Sequence, residues 1–237
     1  MEFIHNKVTS KNGIQIHYID SKNVADNRLI PLLICPGLSE TAEEYEDLLT
    51  SILPRRGIVL SFRGRGKSTT PFSGYSLIDH ILDIELVVEY AGITYFHLLG
   101  NSRGASYALG YAKIHSNQIA SLIVEDYPLE HKSMPIDWPH EYINKYLIPY
   151  NRIENIRPEA VLGIQKESTY ETISFQFERP VLVIRGLLEG SLVTDEDLEK
   201  YKETFSKIDV CEFHKSAHDI RNTEKELLYQ NIIDFME

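Results

Sequence analysis

The most informative segment of the chain is Tyr95-Phe96-His97-Leu98-Leu99-Gly100-Asn101-Ser102-Arg103-Gly104. Its first five residues predict a buried strand, and the small residues that follow predict a helix from Arg103 to His115. The pattern G-x-S-x-G between them is typical of a tight strand-to-helix turn that exposes the serine hydroxyl. Glycine is expected on both sides, where a side chain would clash with the adjoining strand and helix. The pattern predicts that Ser102 is a nucleophile; the alternative is an ordinary turn of small residues.

Working outward from this turn, apolar runs alternate with helical patterns. Residues 30–35 and 57–62 precede it, and residues 119–124 and 180–184 follow it, each as a nearly continuous apolar run. Such runs are typical of strands that are buried on both faces of a parallel sheet. Helices between them predict an α/β fold with helices on both faces of the sheet.

The alternation stops between about residues 127 and 178, a stretch rich in Tyr, His and Pro. We therefore predict a core formed by residues 1–126 and 179–237, with residues 127–178 as a small helical cap insertion. The cap residues most suited to line a pocket are Tyr127, Trp138, Tyr142, Tyr146 and Arg152. Packing of the same aromatic residues against the sheet is an equally good interpretation.

A serine hydroxyl is a weak nucleophile and needs a neighbouring base. In the chain order of this strand–turn–helix architecture, the base follows the last strand and precedes the last helix. His218 occupies that place, because residues 210–214 predict the strand. His214 is the nearest rival, but it falls within the strand pattern.

The imidazole in turn needs a carboxylate that holds its tautomer. The loop after the strand that ends at Gly186 is the expected source, and Glu189 stands three residues beyond that glycine. Glu189 is therefore our predicted acid. Asp126, at the end of an earlier strand, is the second candidate, and a solvated loop carboxylate is the alternative role for Glu189.

Two backbone N–H groups are expected to form an oxyanion hole. One belongs to Arg103, the residue after the nucleophile, and the other comes from the loop after an earlier strand. That loop begins Cys35-Pro36-Gly37-Leu38. Proline has no N–H, so Leu38 is the predicted second donor.

Taken together, these motifs resemble the α/β-hydrolase family, in its capped group of esterases, lactonases and C–C hydrolases. The resemblance rests on Pro36-Gly37, the elbow around Ser102, Gly186 with Glu189, and Ala217-His218, all in the family's order. It implies a mostly parallel sheet of eight strands, a Ser–acid–His triad and no cofactor. Many members have His-Gly in place of Pro36-Gly37 and Asp in place of Glu189. Dehalogenases and epoxide hydrolases of similar fold attack with Asp, so a serine at the elbow argues against them.

Composition restricts the partners. Lys and Arg number 24 against 35 Asp and Glu, for a formal net charge of −11, so we expect neither nucleic acid nor a membrane surface as a partner. Two cysteines, Cys35 and Cys211, form no disulfide framework and no metal-ligand spacing, and we expect no metal. Without an apolar leader segment, the expected location is the cytoplasm. The oligomeric state is left open.

The function that these residues predict is hydrolysis of a small-molecule carboxylic ester, thioester or lactone through an acyl-enzyme. Two alternatives stay open. The same triad serves C–C bond hydrolases and lyases, and the fold also supports non-catalytic ligand receptors. The sequence does not name the substrate.

Overall fold

The computed structural model describes residues 2–237, and an eight-stranded sheet runs through its centre. The strands, in chain order, are β1 (Ile4–Thr9), β2 (Gln15–Asp20), β3 (Leu32–Cys35), β4 (Gly57–Ser61), β5 (Phe96–Asn101), β6 (Ile119–Glu125), β7 (Glu130–His131), β8 (Glu171–Thr172), β9 (Val181–Gly186) and β10 (Ile208–Phe213). The sheet has the order β1-β2-β4-β3-β5-β6-β9-β10, while β7 and β8 form a separate pair. Only the β1–β2 and β2–β4 pairings are antiparallel within the large sheet. The predicted sheet of eight mostly parallel strands is confirmed.

Helices cover both faces of this sheet. They are α1 (Glu46–Ser51), α2 (Leu77–Ala91), α3 (Arg103–Ile114), α4 (Trp138–Tyr142), α5 (Pro158–Glu167), α6 (Asp195–Thr204), α7 (Ile220–Thr223) and α8 (Lys225–Phe235). Among residues 2–237, no helix is long and apolar enough to cross a membrane.

Strand β3 shows why the central strands read as continuous apolar runs. Leu33 and Cys35 belong to one hydrophobic cluster, which includes side chains of α2 and α3. Leu32 and Ile34 belong to a second cluster, which includes side chains of α1 and α8. Successive side chains of a strand point to opposite faces, so a strand covered by helices on both sides needs apolar residues at every position.

The predicted cap segment, residues 127–178, contains β7, α4, a π-helical turn at Ile143–Leu147, α5 and β8. Its apolar side chains build a third cluster around Leu147, Ile156 and Val161. Leu38, in the loop after β3, packs against this cluster. The cap is therefore seated on the loop that was predicted to supply an oxyanion donor. Its division from the core as a separate unit stays a prediction.

Candidate active site

Ser102 lies at the tip of a tight turn between β5 and α3. Its backbone φ is 51° and its ψ is −131°, a conformation that residues with side chains rarely adopt. The backbone N–H of Ser102 donates a hydrogen bond to the carbonyl of Glu125, at the end of neighbouring β6, over 2.9 Å. The turn is thus held to the adjacent strand with the hydroxyl directed into a cavity that Ser102 lines.

Both glycines of the G-x-S-x-G pattern are required by close backbone contacts. A Cβ on Gly100 would lie 2.4 Å from the Cα of Ala105, in the first turn of α3. A Cβ on Gly104 would lie 2.2 Å from the carbonyl oxygen of Pro36 and 2.3 Å from that of Cys35. Backbone atoms cannot move aside as a flexible side chain does, so any larger residue would displace the helix or the strand.

His218 lies beside the serine, as predicted. Its Nε2 is 2.9 Å from Ser102 Oγ and its Nδ1 is 2.8 Å from Asp126 Oδ2. The loop of His218 crosses the end of β9 so closely that a Cβ on Gly186 would lie 2.1 Å from the Ala217 carbonyl oxygen. The rival His214 is exposed, and it makes no hydrogen bond to Ser102 or Asp126.

The electrostatic surroundings of His218 favour the imidazolium. Burial lowers the pKa of this histidine, but the hydrogen bond and charge of Asp126 raise it, with smaller contributions from Glu125 and Glu40. The net pKa lies above the ordinary 6.5. His218 is therefore suited to accept a proton from Ser102 and to hold it for a leaving group.

Asp126 is fully buried and is held by four hydrogen-bond donors. Besides His218, the donors are Ser191 Oγ at 2.5 Å, the Leu192 N–H at 3.0 Å and the Val193 N–H at 3.2 Å. The residue has a φ of 45° and follows directly on β6. Its carboxylate is thus fixed in the one orientation in which Oδ2 faces His218.

The carboxylate that the structure places against His218 is that of Asp126, the second candidate, and not that of Glu189. Glu189 stands in an exposed turn after β9, and its side chain makes no hydrogen bond to any residue in the range 2–237. The loop of Glu189 does contribute to the site, because Ser191, Leu192 and Val193 of that loop donate to Asp126. The loop therefore supplies the donors rather than the carboxylate.

The two predicted oxyanion donors belong to segments that adjoin the serine. The N–H of Arg103 belongs to the first residue of α3, and Leu38 lines the cavity together with Ser102. Within the described part of the chain, neither backbone N–H has a hydrogen-bond partner. The neighbouring Gly37 N–H already donates to Glu40 Oε2 over 2.7 Å, so it is not free to act as the second donor. The Leu38 carbonyl accepts from Arg65 Nε over 3.1 Å, and this contact fixes the loop.

A buried ionic network around Glu40 supports the loop, and sequence reasoning did not identify it. Glu40 Oε2 accepts hydrogen bonds from Tyr45 OH at 2.6 Å and Asn101 Nδ2 at 2.9 Å, besides the Gly37 N–H. Glu40 Oε1 accepts from Arg221 at 2.5 Å. Burial raises the pKa of Glu40, but the charge of Arg221 and these hydrogen bonds outweigh that cost and lower it. The only signal in the sequence is that Glu40, Asn101 and Arg221 each lie within or close to one of the quoted motifs.

The cavity above Ser102 has a volume of about 820 Å³, enough for a small organic molecule. Of the five predicted cap residues, Tyr142, Tyr146 and Arg152 line it. Tyr127 and Trp138 do not; Tyr127 is buried in the core of the sheet and Trp138 packs within the cap cluster. The cap therefore contributes both an aromatic wall and a packed interior.

One group of side chains has the composition of a metal site, away from the cavity lining. His5, His17 and Glu43 each place a ligand atom within 4.8 Å of the others. In the structure, His5 Nδ1 is 3.2 Å from His17 Nε2, and Lys67 pairs with Glu43 over 2.9 Å. Burial lowers the pKa of His17 to about 4, which keeps it neutral. None of the three side chains lines the cavity with Ser102.

Comparison with known proteins agrees with this architecture. A sequence model described as alpha/beta hydrolase fold matches residues 30–149, just over half of the chain. The chain therefore belongs to the α/β-hydrolase family. No protein with a curated description is significantly similar to it in sequence.

Solved structures with the same fold include several hydrolases. An esterase from Rhodococcus sp. ECU1013 has a TM-score of 0.82 at 16% identity, covering 98% of this chain and 98% of that chain. An esterase from Exiguobacterium antarcticum has a TM-score of 0.77 at 17% identity, covering 98% and 99%. An epoxide hydrolase from hot-environment metagenomes has a TM-score of 0.78 at 16% identity, covering 100% and 99%. At these identities the likeness shows the α/β-hydrolase fold alone.

Proposed function

We propose that this chain is a serine hydrolase that cleaves a small-molecule carboxylic ester, or a related thioester or lactone. The observation that carries the proposal is the continuous chain of contacts from Ser102 Oγ through His218 to Asp126, with spacings of 2.9 and 2.8 Å. A nucleophile, a base and an orienting carboxylate at hydrogen-bond distance are the three parts that acyl transfer requires.

The chemistry proceeds in two steps. His218 Nε2 takes the hydroxyl proton while Ser102 Oγ forms a bond to the ester carbonyl carbon. The negative charge on the carbonyl oxygen is stabilised by the N–H groups of Leu38 and Arg103. The tetrahedral centre then collapses, the C–O bond to the alcohol breaks, and His218 gives its proton to the leaving oxygen.

The second step releases the acid. A water molecule gives a proton to His218 and attacks the acyl carbon, and the second tetrahedral centre expels Ser102, which recovers the proton. Asp126 stays ionised throughout. It holds Nδ1–H of His218, so that Nε2 faces the serine, and it stabilises each imidazolium.

Serine at the elbow supports ester hydrolysis over the epoxide hydrolysis of one similar structure. Epoxide hydrolases of this fold attack with a carboxylate, and here the corresponding atom is the hydroxyl of Ser102. The same Ser–His–Asp set also serves C–C bond hydrolases and lyases. Those enzymes need, in addition, cavity side chains that recognise a carbon acid.

A burst assay with short p-nitrophenyl esters tests the proposal. Wild type should release one equivalent of p-nitrophenol rapidly and then turn over more slowly, because the acyl-enzyme accumulates. Ser102→Ala should lose both phases, while Ser206→Ala, at an exposed position outside the cavity, should behave as wild type.

Two results would refute the proposal in different ways. Full turnover by Ser102→Ala would remove serine as the nucleophile. A wild-type protein with no turnover on any short ester would exclude ester hydrolysis and favour C–C cleavage, lyase chemistry or ligand reception.

A further inference from the structure

The carboxylates of the cavity outnumber its cations. Five acidic side chains line it: Glu40, Glu44, Asp47, Glu125 and Asp219. Three strongly basic side chains also line it, and each is already paired with one of these acids. The pairs are Arg221 with Glu40 at 2.5 Å, Arg152 with Glu44 at 2.8 Å, and Lys225 with Asp47 at 2.8 Å. Each lining cation is thus held by a carboxylate, and their one buried nitrogen without a partner among residues 2–237 is Nη1 of Arg221.

Glu125 is the carboxylate that this pairing leaves without a partner. The residue is 3% exposed, yet it lines the cavity next to Ser102, whose N–H binds the Glu125 carbonyl. Within residues 2–237 its carboxylate makes no hydrogen bond and no ion pair. Asp219, the other unpaired acid, is exposed and accepts a hydrogen bond from Asn222 Nδ2 over 2.7 Å. The oxygens of Glu125 are not fully enclosed, so a donor or a cation bound in the cavity can reach and satisfy this carboxylate.

Aromatic residues of the cap also line the cavity. Tyr142, Tyr146 and Tyr150 all line it and follow one another at intervals of four residues. The ring centroids of Tyr142 and Tyr146 are 5.2 Å apart, as are those of Tyr146 and Tyr150. Stacking along Trp138, Tyr142, Tyr146 and Tyr150 covers the ring faces within this row, so the rings offer apolar surface to the methyl groups of an ammonium ligand and not an open face.

The charges around Glu125 come from several elements. Burial raises the pKa of Glu125 to about 7; Arg221 and His218 lower it, while Glu40 and Asp126 raise it. Tyr45 and Tyr229 face it as well. Arg221 has the largest effect among the positive charges around Glu125, but its guanidinium pairs with Glu40 and lies 3.8 Å over the Tyr45 ring. A cation that entered the cavity would hold Glu125 in its ionised form.

We propose that the cavity selects esters that carry an ammonium group, with Glu125 as the counter-ion and the tyrosine wall as the second contact. The hydrolysis of such an ester rests on the proposed function, whereas the binding of the ammonium group does not. The net charge of the cavity and its free carboxylate next to Ser102 both disfavour an anionic substrate.

Binding of choline, measured by isothermal titration, tests the site independently of any turnover. Choline should bind wild type, and 3,3-dimethylbutan-1-ol, in which carbon replaces the charged nitrogen, should bind about tenfold more weakly or worse. Glu125→Gln should weaken choline binding by about tenfold, because the counter-ion is lost from a buried position, and leave the neutral alcohol unaffected. Glu189→Gln removes an exposed carboxylate outside the cavity and serves as the matched control.

The pH dependence gives a second readout. Glu125 is ionised above a pKa of about 7, so choline affinity should rise about tenfold from pH 6 to pH 8. Protonated His218 repels a cation and adds to the same trend, and Glu125→Gln should retain only that part. Melting of Glu125→Gln by circular dichroism confirms that the variant is folded.

The kinetic counterpart compares acetylcholine with 3,3-dimethylbutyl acetate. Wild type should prefer the cationic ester, and Glu125→Gln should lose the preference through KM. The inference is overturned if choline does not bind, or if it binds Glu125→Gln as well as wild type. If choline binds as expected but neither ester is hydrolysed, the cation site stands and the proposed ester hydrolysis fails.

Discussion

Replacing Asp126 by asparagine is the most direct test of the acid that the structure selects. Asparagine has the same shape but carries one oxygen and one NH₂ group, so it cannot accept all four hydrogen bonds. Its oxygen can take the place of Oδ2, where it keeps the bonds from Leu192 and His218. The NH₂ group then faces Ser191, whose hydroxyl can rotate to accept, and the Val193 N–H, which loses its 3.2 Å bond. The opposite orientation loses the shorter Leu192 bond and forces the wrong tautomer on His218.

The expected loss follows from this comparison. In the favoured orientation the tautomer of His218 is retained, and only the negative charge that stabilises the imidazolium is lost. A hydrogen bond to a charged group contributes about 1.5–3 kcal/mol, so kcat should fall about 10²-fold. Where the wrong tautomer is also populated, the loss approaches about 10⁴-fold.

Stability should change little by comparison. One lost buried hydrogen bond costs about 1 kcal/mol, which lowers Tm by about 2–4 °C in a chain of this length. The variant therefore stays folded at 25 °C, and the loss of activity reports on the site itself.

The assay is pre-steady-state release of p-nitrophenol from p-nitrophenyl acetate, with thermal melting of the same preparations. Glu189→Gln is the matched control and should keep kcat within about twofold of wild type, since surface substitutions of this kind have small effects. The reasoning is refuted if Asp126→Asn stays within tenfold of wild type, or if Glu189→Gln loses more activity than Asp126→Asn.

Two further predictions concern the base and the turn. The value of kcat/KM should fall as pH drops, because protonated His218 cannot accept the Ser102 proton. The midpoint should lie above 6.5, since Asp126 raises the pKa of His218 against the opposing effect of burial. A wild-type pH profile with a midpoint at or below 6.5 would contradict this. Gly104→Ala should destabilise the fold by about 3 kcal/mol in urea unfolding, because the new Cβ would lie 2.2 Å from the Pro36 carbonyl oxygen. Gly13→Ala, at a φ of 80° with no atom within 4 Å, should cost only about 1 kcal/mol, and equal losses in the two variants would disprove the steric argument.

Local sequence was sufficient wherever one short segment contains the whole physical constraint. The turn around Ser102 is an example, because the glycines, the strand before it and the helix after it are contiguous. His218 is a second example, since its place between the last strand and the last helix is a matter of chain order. The N–H of Leu38 could be proposed as the second oxyanion donor from the loop sequence alone, because Pro36 has no N–H.

Groups that depend on distant partners could not be inferred in this way. Glu40 meets Asn101 and Arg221, which are separated from it by 61 and 181 positions. Glu125 becomes a candidate counter-ion only because the cations that line the cavity are paired with other carboxylates. An acidic residue in a sequence does not reveal which cation it will reach, and exposed acids are far commoner than buried ones.

The choice of the acid separates what sequence and tertiary structure each determine. By itself, the sequence determined the α/β class, and it predicted Ser102 as nucleophile, His218 as base and a carboxylate after a central strand. It offered Asp126 after β6 and Glu189 after β9, and these two strands are parallel neighbours. Their carboxyl ends meet at the same edge of the sheet, so both loops start within reach of His218, and chain order does not distinguish them. The tertiary structure decides, because the backbone N–H groups of Leu192 and Val193 and the Ser191 hydroxyl converge on Asp126 and can hold its buried carboxylate, while Glu189 is exposed to solvent.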